Sequence, residues 1–151
     1  MEDQIVSFGI AQLAHEKGFK EKCFYQYNCH TKKHYFNSYF VEENNEQSYS
    51  VGENNLKINK LHGDNWILAP TQTLLQKWLR EKYDLHIKID PTIGYDEMGK
   101  DVIRYTYSVV RNVIENDQLE FELLIHSDFV CDTYEYALDS ALMAILKFIE
   151  L

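Results

Sequence analysis

Cysteine, proline and glycine are all scarce in this chain. Its 151 residues hold only three cysteines, and the odd count at Cys23, Cys29 and Cys131, with no framework spacing, points to reduced thiols more than to a disulfide scaffold. The two prolines and six glycines form no linker, and with neither GxGxxG nor GK[ST] present there is no phosphate-binding or dinucleotide fingerprint and no cofactor to expect. No apolar run approaches the roughly 20 residues a membrane-spanning helix needs. The opening residues place acids where a secretory leader has its basic region, so an intracellular location is the expectation. Basic charge is also short: the formal net charge is −9. Residues 91–151 hold four Lys and Arg against twelve Asp and Glu, leaving −8 of that total in the C-terminal part. Such a face repels phosphate backbones, which argues against broad nucleic-acid binding.

What is present is the composition of an ordinary globular protein, 45% hydrophobic and 26% charged, at a length that buries one core without staples. A single domain over residues 1–151 is expected. Val6, Ile10, Leu13 and Ala14 share one helical face, with Ser7 as cap and Gly18 at the position a C′ glycine takes. CFYQYNC and HYFNSYFV read as two strands joined by HTKK. Residues 42–65 are rich in Asn, Glu and Gly without a sustained period, and are expected to form a mobile surface loop with one short strand, LKIN.

The stretch LAPTQTLLQKWLREKYDLHIKID, residues 68–90, is the most regular. Pro70 suits a first helical turn. Leu74, Leu75, Trp78, Leu79 and Tyr83 make a wide apolar stripe, with Thr73, Gln76, Lys77, Arg80 and Glu81 opposite. After Asp84 the period switches to two, and Pro91 is expected to end the strand. IRYTYSVVRNVI and LEFELLI, joined by ENDQ, read as a hairpin, with Leu119, Phe121, Leu123 and Ile125 on one face. DTYEYALDSALMAILKFIEL is a closing helix with a capping-box spacing from Asp132 to Glu135. These elements predict an α+β fold: a four- or five-stranded, mostly antiparallel sheet with about three helices packed on one face.

Three of these segments, HEKGF, APTQTLLQKWLRE and TYEYALDSALMAILKFI, together resemble a group of small proteins carried by phages and prophages of gut bacteria. In that group a helix ending in EKGF, a segment close to APTQSLLQKWLRE and a terminal helix opening on a YEEAL-like motif occur in this order. The resemblance implies an accessory protein of a mobile element acting in a bacterial cytoplasm, and a host or phage protein is the expected partner. It carries no catalytic residue over to this sequence.

The candidate chemistry is thin. Cys23, Cys29, His30 and His34 form C-x5-C-H-x3-H, with donor types suited to zinc; adjacent Cys29 and His30 would point to opposite faces of a strand, and a buried thiol with exposed histidines is the plainer reading. Lys77, Arg80 and His86, with Lys82 and Lys88 close in sequence, could form a basic patch for a small anionic ligand or nucleotide. The same patch could meet the acidic C-terminal part of a second copy, as a homodimer. A solvated helix face accounts for those charges more simply. His126, Ser127 and Asp128 hold triad residue types too close in sequence to lay out a triad, and no catalytic residue is assigned. Asp96, Glu97 and Asp101 fit a turn better than a cation loop. The expectation is a non-enzymatic protein-binding module, with a ligand-binding protein or minor enzyme as the alternative.

Overall fold

Helix α1 (Phe8–Glu16) starts where Ser7 accepts a hydrogen bond from the Ile10 amide and ends in a left-handed Gly18 at φ 82°. The Gly18 N–H donates to His15 O and the Phe19 N–H to Ala14 O, a complete Schellman closure that buries the Phe19 ring. A computed structural model describes residues 3–36 and 64–150 of the chain, which divide into two compact units, Met1–Leu75 and Gln76–Leu151. The expected loop at 42–65 and its LKIN strand lie outside the described residues, apart from Asp64 and Asn65, which form a turn into the next strand.

In the first unit, β1 (Tyr25–Asn28) is the centre of an antiparallel sheet, between β2 (His34–Phe36) and β3 (Trp66–Ala69). The β1–β2 turn forms because the Asn28 carboxamide oxygen accepts from the amides of His30 and Thr31, while Lys32 takes the left-handed conformation. α1 packs on β3, and the Tyr27 hydroxyl donates to Val6 O at 2.8 Å.

The first turn of α2 (Gln72–Tyr83) belongs to this unit, and its opening amides are fully employed. Gln72 N–H donates to Gln4 O, Thr73 N–H to an Asp3 carboxylate oxygen, and Leu74 N–H to the Thr71 hydroxyl. Thr71 is therefore the cap, and Pro70 lies one residue outside the helix, its carbonyl accepting from Val6 N–H. Thr71→Ala is expected to lower stability by about 1 kcal/mol, read as a shift in the urea midpoint at unchanged slope.

The second unit is built on long hairpins. β4 (Leu85–Tyr95), β5 (Asp101–Glu115) and β6 (Gln118–His126) form an antiparallel sheet with β5 central. Pro91 does not end β4; it sits within the strand, opposite Tyr105. Tyr105 exchanges both backbone hydrogen bonds with Cys131 on its other side, so Pro91 and Tyr105 are a non-hydrogen-bonded pair and the missing N–H of this edge strand points away from the ladder. Asn116 and Asp117, at φ 50° and 61°, close β5 onto β6 in a two-residue type I′ turn.

Helix α3 (Tyr134–Phe148) is capped by Thr133, whose side chain accepts from the Tyr136 amide, one residue later than the expected Asp132. It packs on β4 and β5. Ala137, Leu138, Ala141, Leu142 and Ile145 are buried on the helix, and Leu85, Tyr107 and Val109 share the buried face of the sheet. The class is thus α+β with antiparallel pairing, and the described strands form two sheets of three rather than one sheet of four or five.

Candidate functional site

The residues expected to form a basic patch are placed differently from one another. On α2, Leu75, Trp78 and Leu79 are buried, leaving Lys77 and Arg80 on the exposed face. Lys77 pairs loosely with Glu81 at 3.8 Å. The Lys82 ammonium lies 5.1 Å from the ring centres of both Trp78 and Tyr83, so it covers the apolar stripe and leaves no open stacking platform there. Among the described residues no hydrogen bond or ion pair joins Lys77 or Arg80 to His86.

His86 has other partners. The α2–β4 junction turns through a left-handed Asp84, φ 54°, and this places the Asp84 carboxylate 2.9 Å from His86 Nε2. Asn112 reaches across from β5, its Nδ2 3.1 Å from the same Asp84 oxygen and 2.9 Å from His86 Nε2. An ionised carboxylate only accepts, so His86 Nε2–H and Asn112 Nδ2–H both donate to Asp84, and the 2.9 Å approach of the two nitrogens is then a contact between donors, not a hydrogen bond. The His86 hydrogen bond, ahead of the charge and Asn112 contributions and against partial desolvation, holds the Asp84 carboxyl below its ordinary 3.8. An imidazole oriented by a carboxylate is the arrangement of many general bases, but neither described partner of His86 is a nucleophile.

The sign of the linkage follows. Because the folded-state value lies below the unfolded one, the contribution of Asp84 is present above pH 3.8 and is lost as pH falls through the lower folded value. In His86→Ala, the Asp84 carboxyl should titrate closer to 3.8 in a carbon-detected NMR titration; an unmoved midpoint would remove the His86 bond as the main cause.

The other candidate sets do not assemble. The Cys23 thiol is buried and contacts Glu21 O at 3.4 Å, Cys29 and His30 lie in the β1–β2 turn, and the His34 ring is set against the Tyr25 and Tyr27 rings, each at 5.6 Å. Among the described residues no group of three or more His, Cys, Asp or Glu side chains lies together as a metal set. The Ser127 hydroxyl is buried and accepts from the Tyr107 amide, while Ser127 N–H donates to Tyr107 O. Ser127 therefore extends the sheet and is not poised as a nucleophile. Burial also pushes the Cys131 thiol up, away from thiolate chemistry. The Asp96 carboxylate accepts from the Met98 and Lys100 amides, so this acid organises the β4–β5 turn.

The feature that residue patterning missed is on the hairpin. Val109 pairs with Ile125, but Val110 pairs with Leu123, so Leu124 is an inserted bulge residue. The bulge sends Ile125 to the face covered by α3 and sends Leu123, Phe121 and Leu119 to the opposite face, beside Ile114. These four are 59%, 57%, 64% and 79% exposed. Lys88 caps part of the Phe121 ring, 4.3 Å from its centre. Glu120 and Glu122 occupy the other face of the same strand, with Arg111 opposite Glu122. A contiguous exposed apolar strip on a strand is an interaction feature, where scattered apolar residues are not. The chain matches no family model, no curated protein and no solved structure in the comparisons made with known proteins.

Proposed function

We propose that this chain is a non-enzymatic binding module whose target is another protein and whose contact surface is the β5–β6 strip of Ile114, Leu119, Phe121 and Leu123. The observation that carries the reading is the exposure of this strip beside a bulge that takes up Leu124 and turns Ile125 to the helix-covered face. Leaving four large apolar side chains in water forgoes roughly 1.5–3 kcal/mol each relative to burial, an amount a partner surface recovers. The resemblance of the EKGF, APTQTLLQKWLRE and YEYAL segments supports an accessory role in a phage or prophage, with a host or phage protein as the target in a bacterial cytoplasm. The test is capture from bacterial lysate on immobilised protein. A partner retained by the parent should be lost by the Leu119→Thr/Phe121→Thr/Leu123→Thr variant, whose threonines keep strand preference. Equal capture by both overturns the assignment.

A second reading is favoured by the Asp84–His86–Asn112 cluster, which would serve a small-molecule or nucleotide site with Lys77 and Arg80 as flanking cations. A nucleotide that raises the melting temperature of the parent, and fails to do so for His86→Ala and Arg80→Ala, would support it. No shift across a nucleotide panel would end it.

A further inference from the structure

Among the described residues strand β6 is an open edge, and its backbone and side chains together define what fits. The type I′ closure makes Glu115 and Gln118 a hydrogen-bonded pair. Alternation along the antiparallel ladder then directs the N–H and C=O groups of Gln118, Glu120 and Glu122 to β5, and those of Leu119, Phe121 and Leu123 outward. Among the described residues nothing pairs with that outer edge, and all six residues from Gln118 to Leu123 are exposed. The opposite edge strand, β4, is protected by Pro91, a device that discourages strand addition. Between Gln118 and Leu123, β6 has no proline and no lysine.

We propose that the β6 edge takes up an extended segment of a partner protein as a fourth strand, and that the segment alternates apolar residues with Lys or Arg. This rests on the reading of the chain as a protein-binding module and names the partner's chemistry. The apolar residues of the incoming strand would lie over Leu119, Phe121 and Leu123, and its cations over Glu120 and Glu122, with Glu115 adding negative charge on that face and Arg111 as the single cation facing them from β5. Among the described residues Arg111 forms no ion pair with Glu122, so both glutamates are available. A second copy does not fit. Outward groups must pair with outward groups, so antiparallel β6–β6 addition matches odd residues with odd. In the three central registers, Glu120 then faces Glu122, or Glu120 faces Glu120, or Glu122 faces Glu122. Like charges directly opposite are destabilising, whereas opposite charges there stabilise. Strand addition supplies affinity through the main chain and specificity through the alternating side chains.

The test is an NMR titration of the full chain with an eight-residue peptide alternating Val and Lys, against a Val/Glu peptide and a Val/Lys peptide of the same composition arranged in blocks. The alternating Val/Lys peptide should bind saturably, more weakly as salt rises, and protect the Leu119, Phe121 and Leu123 amides. Glu120→Lys/Glu122→Lys should weaken it by roughly tenfold or more and admit the Val/Glu peptide instead. Phe121→Pro, which removes one outward N–H as Pro91 does in β4, should abolish binding. The strand assignment is overturned if the Val/Lys peptide fails to bind, if its shifts map elsewhere, or if charge reversal leaves its affinity unchanged. Dimerisation of the free chain through β6 in sedimentation would also overturn it. A partner captured by the parent, and lost by the triple-threonine variant, leaves the protein-binding reading intact in each of those cases. Capture unaffected by that variant defeats both.

Discussion

Replacing Leu142 with alanine is expected to lower the unfolding free energy by about 2–5 kcal/mol, measured by urea denaturation of the full chain. Leu142 lies in the middle of α3 and is fully buried, with Leu138, Ala141, Ile145 and Leu146 as buried neighbours along the helix. The alanines at 137 and 141 bring the helix close to the sheet, and close packing leaves little room for the structure to collapse into the space a missing isobutyl group vacates. The cost should therefore exceed that of removing an exposed leucine. Leu119→Ala, on the open strip, is the matched control: same chemistry, and a change within about 0.5 kcal/mol. Equal losses at the two positions would mean that α3 does not cover the core of this unit.

The second large effect lies in the hairpin turn. Asn116→Val/Asp117→Val places two β-branched residues in left-handed conformations that Asn and Asp tolerate, at roughly 1–2 kcal/mol each. The consequence goes beyond stability. The turn sets the register of β6, and a one-residue slip would exchange Leu119, Phe121 and Leu123 with Glu120 and Glu122 between the two faces. The double valine variant should lose about 2–4 kcal/mol and show altered amide shifts throughout β6. Asn116→Gly/Asp117→Gly should keep the register, since glycine takes positive φ without strain. A valine pair that leaves both the midpoint and the β6 shifts unchanged would contradict the type I′ assignment.

Local signals in the chain were legible wherever they were complete. Ser7, Gly18 and Phe19 marked both ends of α1, the Leu and Trp stripe marked α2, and the ENDQ link marked the β5–β6 hairpin; each is present. What escaped depends on context that no short window contains. WILA is four apolar residues with no period of its own and nothing local marks it as a strand, yet β1 pairs with it as β3. Pro91 looked like a strand stop because pairing parity is set by Tyr105 and Cys131, which are distant in sequence. The partners of His86 include Asn112, 26 residues away, so a cluster sought among neighbouring cations was found instead across two strands. The strip itself is visible as alternation, which puts Leu119, Phe121, Leu123 and Ile125 on one face. The Leu124 bulge, which sends Ile125 one way and Leu123 the other, is what reverses that reading.

Residue-resolved hydrogen exchange on the free protein reads the open, apolar-lined β6 edge amide by amide. Alternating protection is expected: slow exchange for the Gln118, Glu120 and Glu122 amides, which face β5, and fast exchange for Leu119, Phe121 and Leu123, which face outward. Uniform protection along the six residues would show the edge to be already occupied, and would contradict it.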